Sequence, residues 1–385
     1  RGIIGEELDE NVCFIIGQAF AKALSADIVI VGRDARATSK QFSNNVIDGL
    51  VSQGVKVLYL GLCGTEEMYW ATTSFKACGG IQVTASHNPI EYNGMKFVKE
   101  NSKPLTQQEF LNIKMLAGFQ SLGNASKKGS VRNIGEEAKV KYSKKILSFI
   151  NPTELDQKRI AVNCGNGAAG PTFDLIESQI HHPSNDLKFF KMFHDPDETF
   201  PNGIPNPLIR KNQAPTRQFI LENNADIGIA FDGDFDRCFI YDDLGELVPG
   251  EYIVGILAET FLLGGKNAKI VHDPRVIWSI ESVIKKNNGF SFPSKTGHAF
   301  IKEKMRAVGA IYGGEMSAHH YFKNFAYCDS GMIPWLLILD YLSKSEHTLR
   351  EIIGRKKELF PSSGELNFTV QNTEDVLKRI QSLFA

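Results

Sequence analysis

Short apolar runs, each ending in a polar turn and followed by a longer mixed stretch, recur along this chain. Asp27-Ile28-Val29-Ile30-Val31 runs into Gly32-Arg33-Asp34, and Val55-Lys56-Val57-Leu58-Tyr59 follows. Arg159-Ile160-Ala161-Val162 runs into Asn163-Cys164-Gly165-Asn166-Gly167, with Leu187-Lys188-Phe189-Phe190 after it. Ala268-Lys269-Ile270-Val271 leads to Asp273-Pro274-Arg275, and then comes Phe290-Ser291-Phe292. Apolar runs of this length bounded by turns predict buried strands, and the stretches between them predict helices. The pattern therefore predicts three α/β units, repeated at roughly a hundred residues.

Each unit closes on a further strand that opens into a loop rich in functional groups. Gly80-Ile81-Gln82-Val83 enters Thr84-Ala85-Ser86-His87-Asn88-Pro89, and Ile227-Gly228-Ile229-Ala230-Phe231 enters Asp232-Gly233-Asp234-Phe235-Asp236-Arg237. The third such loop is Gly313-Gly314-Glu315-Met316-Ser317-Ala318-His319-His320. Open α/β sheets place their chemistry at the carboxyl ends of strands, so the three loops are expected to face one cleft. The boundaries read as 1–135, 136–245 and 246–358, with a polar stretch over 123–135 and a turn at Asp242-Asp243-Leu244-Gly245 as separators. From Phe360 the character changes, and Glu365-Leu366-Asn367-Phe368-Thr369-Val370 reads as the first strand of a fourth unit, of which 359–385 would be only the start. A stretch that short cannot build its own core.

Composition narrows the field. At 385 residues the chain is too long for one ordinary core. A formal net charge of -1 gives no general pull toward nucleic acid or membrane, so neither is an expected partner. The six cysteines form no C-x-x-C pair and no Cys/His cluster, which argues against a zinc site or a disulfide framework and for reduced thiols in the cytoplasm. No apolar stretch reaches the length of a membrane span. The chain opens on Arg1 rather than methionine, so a preceding segment is not excluded.

The acidic loop is the clearest chemical signal. Three aspartates at alternate positions can turn inward, and magnesium prefers such oxygen ligands together with a phosphate. A calcium EF-hand loop is excluded because its sixth position would be Arg237 rather than glycine and its twelfth Asp243 rather than glutamate. A solvated acidic turn is the alternative. Ser86 by itself reads as a turn or cap residue as readily as a nucleophile, and it lacks the flanking glycines of a hydrolase elbow. A hydroxyl nucleophile and a hard-cation site together point to phosphoryl transfer. In the third loop Glu315 can accept from two adjacent sugar hydroxyls, with Ser317 or His319 fixing the neighbouring edge. Lys295-Thr296-Gly297-His298 reads either as ligand contacts or as ordinary surface.

Residues 84–89 with Tyr92-Asn93-Gly94-Met95-Lys96, the 232–237 loop, Lys295 to His298 and Gly314 to His319 together resemble the α-D-phosphohexomutases. Gly64-Thr65-Glu66-Glu67, Asn166-Gly167-Ala168-Ala169-Gly170-Pro171 and the stretch from Glu315 to Met332 resemble the bacterial mannose-phosphate branch of that family, which supplies mannose 1-phosphate for GDP-mannose and polysaccharide synthesis. The resemblance implies three α/β domains with mixed sheets around a central cleft, plus a fourth α+β domain only partly present. Ser86 would rest as phosphoserine, its phosphate completing a Mg²⁺ shell with Asp232, Asp234 and Asp236. The phosphoryl group would pass to a hexose monophosphate to give a 1,6-bisphosphate, which also serves as activator. His87, Lys96 and Arg237 would lie near the phosphoserine, with acid and base work assigned to Lys96, Arg237 and His298. Arg1, Arg275, Lys295, Glu315, Ser317 and His319 would meet the substrate. The family's Arg/Ser/Thr-rich phosphate loop in domain four does not occur before Ala385, and Arg33-Asp34-Ala35-Arg36-Ala37-Thr38-Ser39 shares its residue types without its context. Mannose and glucose phosphates are both admissible substrates, a sugar phosphatase is the alternative chemistry, and the expected state is monomer or homodimer.

Overall fold

The computed structural model describes every residue except 120, 121, 266, 365, 367 and 385. Three larger sheets carry the fold, and each combines parallel inner strands with an antiparallel edge. The first runs Met95–Lys99, Gly79–Val83, Ile28–Arg33, Lys56–Leu62, Ser130–Asn133. The second runs Cys238–Tyr241, Ile227–Phe231, Arg159–Asn163, Lys188–Met192. The third runs Phe290–Pro293, Lys269–His272, Tyr312–Gly314, His320–Phe322, Cys328–Asp329. In all three the functional loop joins a parallel strand to the antiparallel strand beside it. The repeat visible in the apolar runs is thus a repeat of one hairpin placement.

Strand ends shift by one to three residues from those the apolar runs suggest. Ile28–Arg33 absorbs Gly32 and Arg33, and Lys56–Leu62 runs on past Tyr59, because both pair across those positions. The polar stretch at 123–135 is not all linker. Val131 and its neighbours form the parallel edge strand Ser130–Asn133, exposed on its outer side, where polarity matches water rather than marking a break. Around residues 365–370, Glu365 and Asn367 lie outside the described residues. Leu366, Phe368, Thr369 and Val370 lie in no strand and pair with none among the described residues. The helix Thr373–Phe384 follows and buries none of its side chains.

Local sequence explains the helices that frame the cleft. Asp9 caps Glu10–Leu24 by accepting from the Val12 amide at 2.7 Å. That helix crosses Ser39–Ser52 closely because Gly17 and Gly49 lie at the crossing; a Cβ on Gly49 would stand 2.1 Å from the Phe14 carbonyl oxygen. Met332–Ser343 is apolar around almost its whole circumference and is correspondingly buried except at Tyr341 and Ser343. Its Trp335 meets Phe173 at 5.4 Å between ring centres, while Tyr142 from Gly135–Leu147 meets both Trp70 and Phe325. One apolar core therefore runs through all three sheet units, from Ile30 to Ile353. Among the described residues no helix is long and apolar enough to cross a membrane.

Candidate active site

Ser86 follows the strand Gly79–Val83 on a tight turn and itself takes a left-handed conformation, φ 51°. A serine holds that backbone only where its surroundings over-determine it. Arg36 does so here. Its guanidinium donates to the carbonyl oxygens of Ser86 (3.0 Å), Asn88 (2.5 Å), Pro89 (2.9 Å) and Tyr92 (2.9 Å), and Asp34 faces it at 3.5 Å. The Arg/Ser/Thr-rich segment around Arg36 is thus the scaffold of the serine loop.

The loop after Ile227–Phe231 meets Ser86 directly. Ser86 Oγ donates to Asp232 Oδ2 at 2.7 Å and lies 3.0 Å from His87 Nδ1. Gly233 is required by this approach, because a Cβ there would sit 2.7 Å from the Ser86 carbonyl oxygen. The left-handed residue of the acidic turn is Phe235, φ 41°, so glycine serves for clearance rather than for an unusual dihedral. Lys96 donates to Asp234 Oδ2 at 2.7 Å and to Asp236 Oδ2 at 2.5 Å, and Arg237 donates to Asp232 Oδ2 through Nε (3.1 Å) and Nη2 (2.9 Å). Arg237 Nη2 also touches His87 Nδ1.

Burial works against the charge on Lys96, but Asp234, Asp236 and Asp232 outweigh it and hold the ammonium above its ordinary range. The same balance, led by Asp232, holds Arg237 up. Burial and then the Arg237 charge press His87 down to about 4. Burial and the neighbouring Asp234 push Asp236 up to about 6, a sign of carboxylates crowded beyond what Lys96 neutralises.

Asp232, Asp234 and Asp236 each keep Oδ1 buried and without a hydrogen-bond partner, and oxygens of the three lie within 4.8 Å of one another. Orphaned buried carboxylate oxygens are costly unless a ligand satisfies them. A hard divalent cation with oxygen preference fits this donor set.

The third loop meets the acidic cluster through His319. Glu315 accepts from Tyr321 OH on Oε1 and from the Gly297 amide on Oε2 at 3.2 Å, which ties the 295–298 loop to the 315–319 loop. His319 Nδ1 donates to Asp329 Oδ2 at 2.9 Å, and its ring lies beside Asp236. Burial opposes the His319 charge, yet the bond to Asp329 and the Asp236 carboxylate raise it. A cavity of about 380 Å³ joins Arg1, Lys96 and His298 with Tyr69 and Lys302. Arg1 also reaches the serine loop through Asn88, 2.5 Å from its Oδ1.

Of the expected substrate residues Arg1 lines that cavity, while Arg275, Lys295, Glu315, Ser317 and His319 stand outside its lining. Arg275 pairs with Asp273 at 2.9 Å and borders a second cavity of about 270 Å³ with Met316, while Ser317 lines a third. Lys295 is exposed and lies over the Phe300 ring. Asp273 links these parts, since its Oδ2 also accepts from the Met316 amide.

Sequence reasoning missed Arg36, Thr65, Lys302 and Asp329. Thr65 donates to Asp234, and the neighbouring Glu66 accepts from the amides of Gly331 and Met332, so the 64–67 segment touches all three units. Its signal was the first turn Thr65-Glu66-Glu67 after Gly64, in which Glu67 accepts from the Gly64 amide at the start of a helix; Lys302 and Asp329 carried no local signal.

Comparisons with known proteins agree with this geometry. The family description phosphoglucomutase/phosphomannomutase, alpha/beta/alpha domain I, matches residues 1–117, domain II matches 140–245, and domain III matches 249–359. A phosphomannomutase of Salmonella montevideo is 45% identical over 389 residues, covering 100% of this chain and 85% of that protein. A phosphomannomutase of Escherichia coli K12 is 43% identical over 388 residues with the same coverage. The crystal structure of a phosphoglucomutase/phosphomannomutase family protein from Burkholderia thailandensis superposes with a TM-score of 0.82 at 27% identity, covering 92% of this chain and 77% of that one. Three matched domains and near half identity along the whole chain leave one conclusion: the chain belongs to the phosphoglucomutase/phosphomannomutase family, the α-D-phosphohexomutases.

Proposed function

We propose that this protein is a phosphomannomutase that interconverts mannose 6-phosphate and mannose 1-phosphate, with glucose phosphates as further substrates. The observation that carries the reading is the Ser86 hydroxyl, 2.7 Å from Asp232 within a carboxylate cluster whose three Oδ1 atoms have no partner.

Ser86 carries the phosphoryl group in the resting enzyme. The bond from phosphorus to Ser86 Oγ breaks as a bond forms to the free hydroxyl of the hexose monophosphate, and the hydroxyl proton leaves to a base. The resulting hexose 1,6-bisphosphate turns over in the cleft and returns its other phosphate to Ser86, so no phosphate is lost overall. Asp232, Asp234 and Asp236 would hold Mg²⁺, which when bound would neutralise charge on the transferring group.

Lys96 and Arg237 stay charged among the aspartates, so they stabilise the phosphoryl oxygens electrostatically rather than take a proton. His319 binds Asp329 through Nδ1, which leaves Nε2 to exchange a proton with a sugar hydroxyl. This moves base work away from Lys96 and Arg237. Glu315 and His298 orient the sugar, and Arg1, which lines the same cavity as Lys96 and His298, meets the rest of the substrate. The units 1–135, 136–245 and 246–358 each supply one loop, and the enzyme works in the cytoplasm as a monomer or homodimer.

The test supplies mannose 1-phosphate or glucose 1-phosphate with Mg²⁺ and a trace of hexose 1,6-bisphosphate, and follows both 6-phosphate and inorganic phosphate. Mannose 6-phosphate without phosphate release is the expected result. Preference for glucose would change the substrate, and phosphate release alone would make the protein a phosphatase.

A further inference from the structure

The helix His298–Val308 carries a cation or imidazole at every fourth position on one face: His298, Lys302 and Arg306. Residues four apart on a helix lie one above the other. His298 lines the 380 Å³ cavity. Arg306, at the far end, donates to the carbonyl oxygens of Ser102 in the first unit (3.2 Å) and Ala326 in the third (2.6 Å).

Lys302 lies between them and is 1% exposed, which is rare for lysine unless its charge is satisfied. Its ammonium sits 2.6 Å from Asp329 Oδ1 and 3.9 Å from the centre of the Tyr69 ring. Tyr69 belongs to Thr65–Ser74, the helix whose first residue donates to Asp234. Asp329 Oδ2 in turn receives His319 Nδ1, and His319 neighbours Asp236, which Lys96 holds. A continuous chain of contacts thus runs from the first unit through Lys302 to the acidic loop of the second.

We propose that Lys302 is a positioning residue for phosphoryl transfer: clamped on Tyr69, it fixes Asp329, and Asp329 fixes the His319 ring against the acidic cluster. The inference rests on the mutase reading of the site. A buried ion pair of this kind contributes little net stability, because desolvating both charges offsets their attraction. Its effect is geometric. With Lys302 removed, Asp329 Oδ1 loses its cation while Oδ2 keeps only the His319 bond, so the carboxylate is free to rotate and His319 loses the orientation of its ring. Displacement of a reacting group by about 1 Å costs on the order of 100-fold in rate.

The experiment compares wild type, Lys302→Met and the double variant Lys302→Met/Asp329→Asn, which removes both charges and so avoids a lone buried carboxylate. Turnover of mannose 1-phosphate and the ¹⁵N shifts of the His319 ring are measured on each folded protein. Lys302→Met is expected to lower kcat by about 100-fold with KM within about threefold, and to lose the fixed Nδ1–H tautomer of His319. The double variant is expected to show the same loss of kcat. A folded Lys302→Met that keeps both wild-type turnover and the wild-type ¹⁵N shifts overturns the proposal. So does wild-type turnover in the double variant if the single one does not fold. If wild type itself fails to isomerise mannose phosphates, the mutase reading falls while the ring shifts still judge Lys302: loss of the tautomer supports the clamp, and its retention refutes it.

Discussion

The acidic hairpin of the second unit and the glutamate hairpin of the third occupy equivalent places in their sheets, yet they treat their carboxylates in opposite ways. Asp232, Asp234 and Asp236 each satisfy one oxygen and leave the other buried and unpartnered. Glu315, only 2% exposed, satisfies both of its oxygens from within its own unit. The first arrangement is complete only with a ligand, whereas the second is already set and must share its bonds with whatever binds. Cation chemistry belongs at the first and orientation at the second.

Loss of the transferring atom should have the largest effect on this contrast. Ser86→Ala removes the hydroxyl but keeps the small buried volume, so the fold should persist while turnover drops by about 10⁴-fold or more. Substantial retained mutase activity with unchanged circular dichroism would remove Ser86 from the chemistry. Asp234→Asn comes next. It takes away one cation ligand and one partner of Lys96, and should lower kcat by about 100-fold. Wild type should also gain thermal stability on titration with Mg²⁺, as any ligand specific to the folded state produces. That gain should be weak or absent in Asp234→Asn, and an unchanged magnesium titration would place the cation elsewhere.

Glu315→Gln tests the other half of the comparison. An amide group can accept at only one of its two ends, so either Tyr321 OH or the Gly297 amide loses its acceptor, at a cost of about 1–3 kcal/mol. The thermal midpoint should fall and kcat/KM should drop by about tenfold. The magnesium titration should stay as in wild type. A shift in magnesium affinity would mean that the two hairpins are not independent.

The same contrast explains what could be read from the chain. Runs such as Ile227 to Phe231 announced their strands because they are buried on both faces and therefore apolar throughout. The aspartates at 232, 234 and 236 were legible because their spacing is local. Lys302, Tyr69 and Asp329 were not, since their meeting depends on how the third unit packs on the first. Arg36 was illegible for a related reason: its segment shares residue types with a phosphate loop but not the context, and only the fold shows its guanidinium spent on four backbone carbonyls. The strand Ser130–Asn133 escaped notice because an exposed edge has no need to be apolar.

The smallest predicted effect separates the hairpins by pH. The strand leaving the acidic loop begins with the buried thiol of Cys238, whereas the strand leaving the glutamate loop begins with His320, fully buried and bonded through Nδ1 to Tyr312 OH at 2.7 Å. Burial, with a smaller push from His319, presses the His320 imidazole down to about 3. An unfolded histidine titrates near 6.5, so as pH falls below that value the unfolded chain takes up a proton that the folded one refuses. The stability contributed by neutral His320 is therefore intact above about pH 6.5 and is lost progressively toward pH 3, at about 1.4 kcal/mol per pH unit. Other groups also destabilise the protein in acid, so the readout is a difference. Between pH 6 and pH 5, wild type should lose about 1.2 kcal/mol more than His320→Gln in urea unfolding. Parallel losses in the two proteins would show that His320 takes up its proton inside the fold, and the pH asymmetry between the hairpins would disappear with it.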